Sequence, residues 1–82
     1  MTDLQYRVLL KKESEGAYTA IVPILPGCIS WGVTIDDAIH NAHEAIELYL
    51  ESLLAHGEEI PTEEGILESH IKISSHDPVA TS

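Results

Sequence analysis

The sequence predicts a two-layer α+β domain of order βββαβ, with one long helix packed on a small, mainly antiparallel sheet. Three features carry that prediction. Residues 4–12 alternate with the period of a strand, a single apolar stripe of helical period follows Thr34, and a further alternating run begins at Leu67. At 82 residues the chain falls short of the roughly 100–200 typical of a domain, so these elements must share a single core. We therefore read 1–75 as one domain and 76–82 as a frayed C-terminal tail.

In the first run Tyr6, Val8 and Leu10 fall on one side, with Gln5, Arg7, Leu9 and Lys11 on the other, as in a strand with one buried face. Glu13–Gly16 breaks the alternation, and Ala17–Val22 resumes with Tyr18, Thr19, Ile21 and Val22, residue types that suit a pleated surface. A polar loop ending in glycine between two such runs predicts a hairpin with antiparallel neighbours. Pro23, Pro26 and Gly27 mark a turn, because proline has no N–H to give to a ladder. Cys28–Trp31 then leaves room for a short third strand closed by Gly32. Thr34 is placed to cap a helix: with Asp37 it forms the aspartate version of a capping box, and Asp36 and Asp37 complement the positive end of the dipole. The helical stripe consists of Ile35, Ala38, Ile39, Ala42, Ile46, Tyr49, Leu50, Leu53 and Leu54, and Gly57 stands where a C-terminal cap belongs. After a polar connector over Glu58–Gly65, Leu67, Ile71 and Ile73 alternate with Glu68, His70 and Lys72 as a fourth strand that reaches about Ser74.

Charge excludes several functions. Fourteen Asp and Glu against four Lys and Arg give a formal net charge of -10, and no Lys or Arg occurs between Lys12 and Lys72. Affinity for nucleic acid comes largely from cations that neutralise phosphates, so direct DNA or RNA binding is not expected; a basic protein partner is. The single cysteine, Cys28, has no partner for an internal disulfide. The start, MTDLQYRV, lacks the basic and apolar regions of a signal peptide, and no apolar run approaches a membrane span, so a cytoplasmic chain is expected. A core of this size leaves roughly 3–5 kcal/mol of net stability, which predicts a homo-oligomer, a dimer or a dimer of dimers.

The candidates for chemistry are few. His40, His43, Glu44 and Glu47 share one helix face and could approach a divalent metal, but they lie away from the apolar stripe, where nothing would fix ligands or exclude water. Their plain reading is a solvated face. Cys28 sits in a Gly-Cys-Ile-Ser stretch that favours a small buried thiol over a nucleophile. His56, His70 and His76 are scattered, and the five glycines never cluster into a phosphate-cradling loop. No cofactor, no metal and no enzymatic activity are expected. Trp31, the one indole, anchors either the core or an interface.

The central segment resembles a known family. The run from Gly16 through Ala17-Tyr18-Thr19-Ala20-Ile21-Val22-Pro23-Ile24-Leu25-Pro26-Gly27 to Cys28, followed by Gly32-Val33-Thr34-Ile35-Asp36-Asp37-Ala38, Asn41-Ala42 and Ile60-Pro61, is similar to the HicB-like antitoxins. The likeness extends over about Leu4 to Pro61. It departs from the family at Ile24 and Val33, where aspartate is common, both in loops. The resemblance implies a degraded ribonuclease-H-like βββαβ fold that binds and blocks a small basic messenger-RNA-cleaving toxin of the HicA type. Many members also carry a C-terminal DNA-binding module; these 82 residues are too few to hold one, and operator binding is not expected of them.

An acidic domain can steer onto the cationic surface with which such a toxin grips RNA, and masking needs no catalytic residue. Candidate contacts are Trp31, the helix acids Glu44, Glu47 and Glu51, and the connector acids Glu58, Glu59, Glu63 and Glu64. A residual hydrolase is disfavoured because the strand cores hold no Asp or Glu to converge on a metal ion. The alternative is a free-standing homo-oligomeric ligand-binding or scaffold domain without a toxin.

Overall fold

The computed structural model describes residues 4–74, so the expected tail over 76–82 lies outside the described residues. Three short strands, β1 (Leu9–Lys12), β2 (Tyr18–Ile21) and β3 (Ile29–Gly32), precede one helix, α1 (Ile35–Ala55). The sheet runs β1-β2-β3 and is antiparallel throughout. The α+β architecture is therefore as expected in its first four elements.

Register explains where the strands stop. Leu9 faces Ile21 and Lys12 faces Tyr18, so the ladder, continued backwards, would set Arg7 against Pro23. Proline offers no N–H there, and β1 begins at Leu9 rather than at Leu4. The Arg7 N–H instead meets the Glu63 carboxylate. At the other end Glu13 N–H bonds the Ala17 carbonyl at 2.8 Å and Gly16, at φ 91°, turns the hairpin.

The register also sorts the faces. Leu10, Ala20 and Ser30 form one cross-strand row, and the Ser30 hydroxyl lies 3.5 Å from the Ala38 carbonyl, so this row faces α1. Leu9, Ile21 and Ile29, with Lys11, Thr19 and Trp31, occupy the opposite face, which α1 leaves uncovered. Under the helix, Ala20, Ala38 and Ala42 are buried together, a contact made of small side chains. Gly32 belongs to it: a Cβ there would stand 2.2 Å from the Ala38 backbone nitrogen, so only glycine lets β3 and α1 meet. The second part of the core gathers Val22, Leu25 and Cys28, with Ile46, Tyr49 and Leu50 of the helix packed against them. Leu25 is fully buried although it lies in the turn between Pro23 and Gly27.

Both helix ends follow the sequence. The Thr34 hydroxyl accepts from the Asp37 N–H at 3.0 Å. Gly57 adopts φ 70°, with Gly57 N–H bonded to the Leu54 carbonyl and Glu58 N–H to that of Leu53, the two bonds of a Schellman end. The apolar stripe is only partly covered, since Ile35, Ile39 and Leu54 remain exposed.

The fourth strand is a correction. Residues 58–74 run from Gly57 without a strand among them, and Leu67, Ile71 and Ile73 stand exposed. Past the helix end this stretch is tied to the body where the Tyr6 hydroxyl donates to the Pro61 carbonyl and Arg7 Nη1 pairs with Glu68 Oε1 at 2.9 Å. The run has the alternation of a strand, but among the described residues none of 67–74 shares a backbone hydrogen bond with β1, and without a paired edge the pattern alone does not make a strand.

Candidate partner-binding surface

Three surfaces hold the residues singled out in the sequence. The first is the solvent face of α1. Glu44, Glu47 and Glu51 recur at intervals of three and four residues and are all exposed, because Ala38, Ala42, Ile46 and Tyr49 take the opposite side. Leu48 lies among them with two-thirds of its surface open (66%). Sequence reasoning assigns Leu48 no role, although its position out of phase with the apolar stripe is the available signal.

The histidines on this face do not make a metal centre. His40 Nε2 stands 3.2 Å from Glu44 Oε1, and His43 Nδ1 stands 3.4 Å from Glu47 Oε1, two ordinary pairs along the helix. Among the described residues no three His, Cys, Asp or Glu side chains converge as ligands. Each pair is more than half exposed, where such pairs stabilise little.

The second surface is the uncovered face of the sheet. Trp31 points away from α1 because its neighbour Ser30 points toward it, and its ring is 56% exposed. Ile29, also on β3, and Leu9 of β1 extend the apolar area, and Val33 follows at the end of the strand. The backbone beneath is fixed, with Asn41 Nδ2 donating to the Trp31 carbonyl at 2.7 Å. Of the two roles open to the indole, the core is thereby excluded. Since the helix and the outer sheet face look in opposite directions, Trp31 and the Glu44, Glu47 and Glu51 group do not share one flat surface.

The third surface is the connector. Glu58, Glu59 and Glu64 are exposed just beyond the helix, whereas Glu63 is held by Arg7 through its guanidinium and N–H and is not free for a partner. The Glu63 charge and burial together, burial foremost, push the Tyr6 phenol above its usual range. Cys28 is buried and free, and burial raises its thiol too, which fits a packing role and opposes a nucleophilic one. The open concavity between residues 4–7 and the connector, about 650 Å³, brings Tyr6, Arg7, Glu63 and Glu68 together as neighbours already paired to one another.

Comparison with known proteins was made on this geometry. Residues 6–80 match the family described as HicB_like antitoxin of bacterial toxin-antitoxin system. The chain belongs to this family. A UPF0150 protein of Synechocystis sp. is 51% identical over 63 residues, 77% of this chain and 80% of its own length. A UPF0150 protein of Thermoplasma acidophilum is 45% identical over 58 residues, covering 71% of this chain and 84% of that protein. Among solved structures, the N-terminal domain of the Burkholderia pseudomallei antitoxin HicB is similar at a TM-score of 0.61 and 41% identity, over 70% of this chain and 72% of that one. As a HicB-like domain the chain is thus built from a sheet with one bare face and a helix with one acidic face. No helix among the described residues is long and apolar enough to cross a membrane.

Proposed function

We propose that this chain is an antitoxin domain that binds a small basic messenger-RNA-cleaving toxin of the HicA type and neutralises it by masking its surface. The observation that carries the reading is the solvent face of α1, where Glu44, Glu47 and Glu51 line up beside the exposed Leu48 on a HicB-like antitoxin chain. A toxin that grips RNA presents cations, so this face supplies steering charge around one desolvated apolar contact. Glu58 and Glu59 extend the acidic surface past the helix end, and Trp31, on the far side, is left for contacts between copies in a dimer or a dimer of dimers. Inhibition of this kind is steric and electrostatic and uses no catalytic group, cofactor or direct contact with nucleic acid.

The test mixes the purified chain with the small basic protein encoded beside it and follows messenger-RNA cleavage. Suppression of cleavage by the unaltered chain is expected, with relief by the Glu44→Lys, Glu47→Lys, Glu51→Lys combination. Screening over a Debye length of about 8 Å at physiological salt should slow association as salt rises while dissociation changes less. Two folded proteins that neither associate nor affect cleavage would leave the domain as a homo-oligomeric binding module without a toxin.

A further inference from the structure

The molecule carries the two halves of a strand pairing that it does not make with itself. One half is an edge. Every residue of β1 is exposed, and because Glu13 N–H bonds the Ala17 carbonyl, the alternation of an antiparallel ladder turns the N–H and C=O groups of Leu10 and Lys12 away from β2. Next to that edge, along residues 4–8, runs a largely apolar groove of about 320 Å³ between Leu4, Tyr6 and Val8 on one wall and Ile39, Ile46 and Leu50 of α1 on the other, with His43 and Glu47 also lining the helix side. Ile39 is left 46% exposed there, so the sheet is one strand too narrow for its helix.

The other half is the segment 67–74. Leu67, Ser69, Ile71 and Ile73 fall on one side and Glu68, His70, Lys72 and Ser74 on the other, the pattern of a half-buried strand rich in β-branched residues. Its apolar side nevertheless faces solvent, with Leu67 94%, Ile71 80% and Ile73 79% exposed. The Arg7–Glu68 pair fixes where the segment leaves the body, and beyond it no backbone bond returns it to its own β1.

We propose that the fourth strand is supplied in trans: residues 67–74 of one copy pair along the free edge of β1 of a second copy, their apolar side chains seated in its groove. The reciprocal exchange closes a two-fold dimer in which both open edges and both bare grooves are covered. A small core, with only six hydrophobic residues buried among those described, gives the exchange its thermodynamic reason. This deepens the homo-oligomer of the preceding reading by naming its contact, and it stands whether or not a toxin exists.

Sedimentation of the full chain at tens of micromolar should give twice the 9.0 kDa of one chain. Of Ile71→Pro and Lys72→Pro, at least one should return the mass to a single chain with unchanged helical circular dichroism, because adjacent N–H groups face opposite sides and proline removes the one the ladder needs without touching α1. A second measurement separates exchange from folding back. Isotopically heavy Leu10→Cys chain is mixed with light Ile71→Cys chain and treated with a short bis-maleimide, the unaltered chain with its buried Cys28 serving as control. A linked peptide pair carrying one heavy and one light partner is expected, in at least tenfold excess over the control. A monomeric unaltered chain, a dimer that survives both proline variants, or cross-linking confined to a single chain of the Leu10→Cys, Ile71→Cys double variant would each overturn the proposal. None of these outcomes bears on toxin neutralisation, which is read by cleavage.

Discussion

Two of the stretches without regular secondary structure could hardly be more different in order. The turn over residues 23–27 is closed by Leu25 N–H to the Val22 carbonyl, Cys28 N–H to the Leu25 carbonyl and Val22 N–H to the Cys28 carbonyl, all between 2.9 and 3.1 Å. Tyr49 clamps it to the helix with a hydroxyl bond to the Pro26 carbonyl at 2.8 Å. At its centre Leu25 is as buried as any residue described. The stretch over residues 58–74 has the alternation of a strand from Leu67 on, yet it leaves Ile66, Leu67, Ile71 and Ile73 exposed, and past the helix end its bonds to the body run to Tyr6 and Arg7. Periodicity therefore reports what a segment could pair with. Whether it pairs depends on a partner edge, and a turn with its own hydrogen bonds and a clamp needs none.

That contrast is most easily broken at Leu25. Leu25→Ala should cost about 3 kcal/mol, since truncating a fully buried leucine removes its transfer energy and leaves a cavity, whereas Ile71→Ala should change the unfolding free energy of the monomer by less than about 0.5 kcal/mol. Urea unfolding of the two variants at submicromolar concentration measures both. Equal effects would mean that the two regions are equally packed.

Gly32→Ala should follow closely, at about 2–3 kcal/mol, because the added Cβ meets Ala38 backbone rather than a side chain that could swing aside. Here the order of the turn and of the sheet edge depend on one another: a helix pushed off β3 withdraws Tyr49 from Pro26 as well. Thermal unfolding is the measurement, and a variant as stable as the parent would show that α1 and β3 do not approach as closely as described.

The cap is a smaller effect. Thr34→Ala removes one acceptor for the Asp37 N–H at an exposed helix start and should cost about 1 kcal/mol, with Thr34→Ser restoring most of it.

How much of this was legible in the sequence follows the range over which each feature is decided. The hairpin at Gly16, the Thr34 cap and the Gly57 end depend on neighbours within a few residues, and each stands where the pattern put it. Strand β1 is shorter than its alternation because Pro23 blocks Arg7 across the ladder, a fact of register that no single run contains. Leu25 is invisible to periodicity because it is buried by a turn, and Trp31 could be placed only once Ser30 was seen to face the helix. On the surface, Glu44, Glu47 and Glu51 stand exposed on α1, whereas Glu63, which charge alone groups with the free acids, is held by Arg7, and only the fold shows that. The same fold separates Trp31 from Glu44, Glu47 and Glu51, residues that sequence reasoning had collected into one set.

The smallest expected effect sharpens the comparison from the side of the connector. Tyr6 is the counterpart of Tyr49: its hydroxyl bonds the Pro61 carbonyl and ties residues 58–74 to the core as Tyr49 ties the turn. Tyr6→Phe removes that bond and should cost about 1 kcal/mol at neutral pH, with faster hydrogen exchange in the connector and none of the change reaching Leu25. The bond also carries a pH signature. Burial and the Glu63 charge raise the Tyr6 phenol above its ordinary value of 10.0, so the folded chain holds this proton more tightly than the unfolded one. Its contribution is complete below the unfolded value and is lost as pH climbs through the higher folded value, which places the loss above about pH 10. Cys28, raised by burial from 9.0, adds a loss of the same sign beginning lower on the scale. Alkaline unfolding of the parent should therefore begin through Cys28 and steepen through Tyr6, and Tyr6→Phe should flatten only the upper part of the curve. A curve of unchanged shape would show that the phenol is not buried against Glu63 and that its bond to Pro61 does not hold the connector to the core.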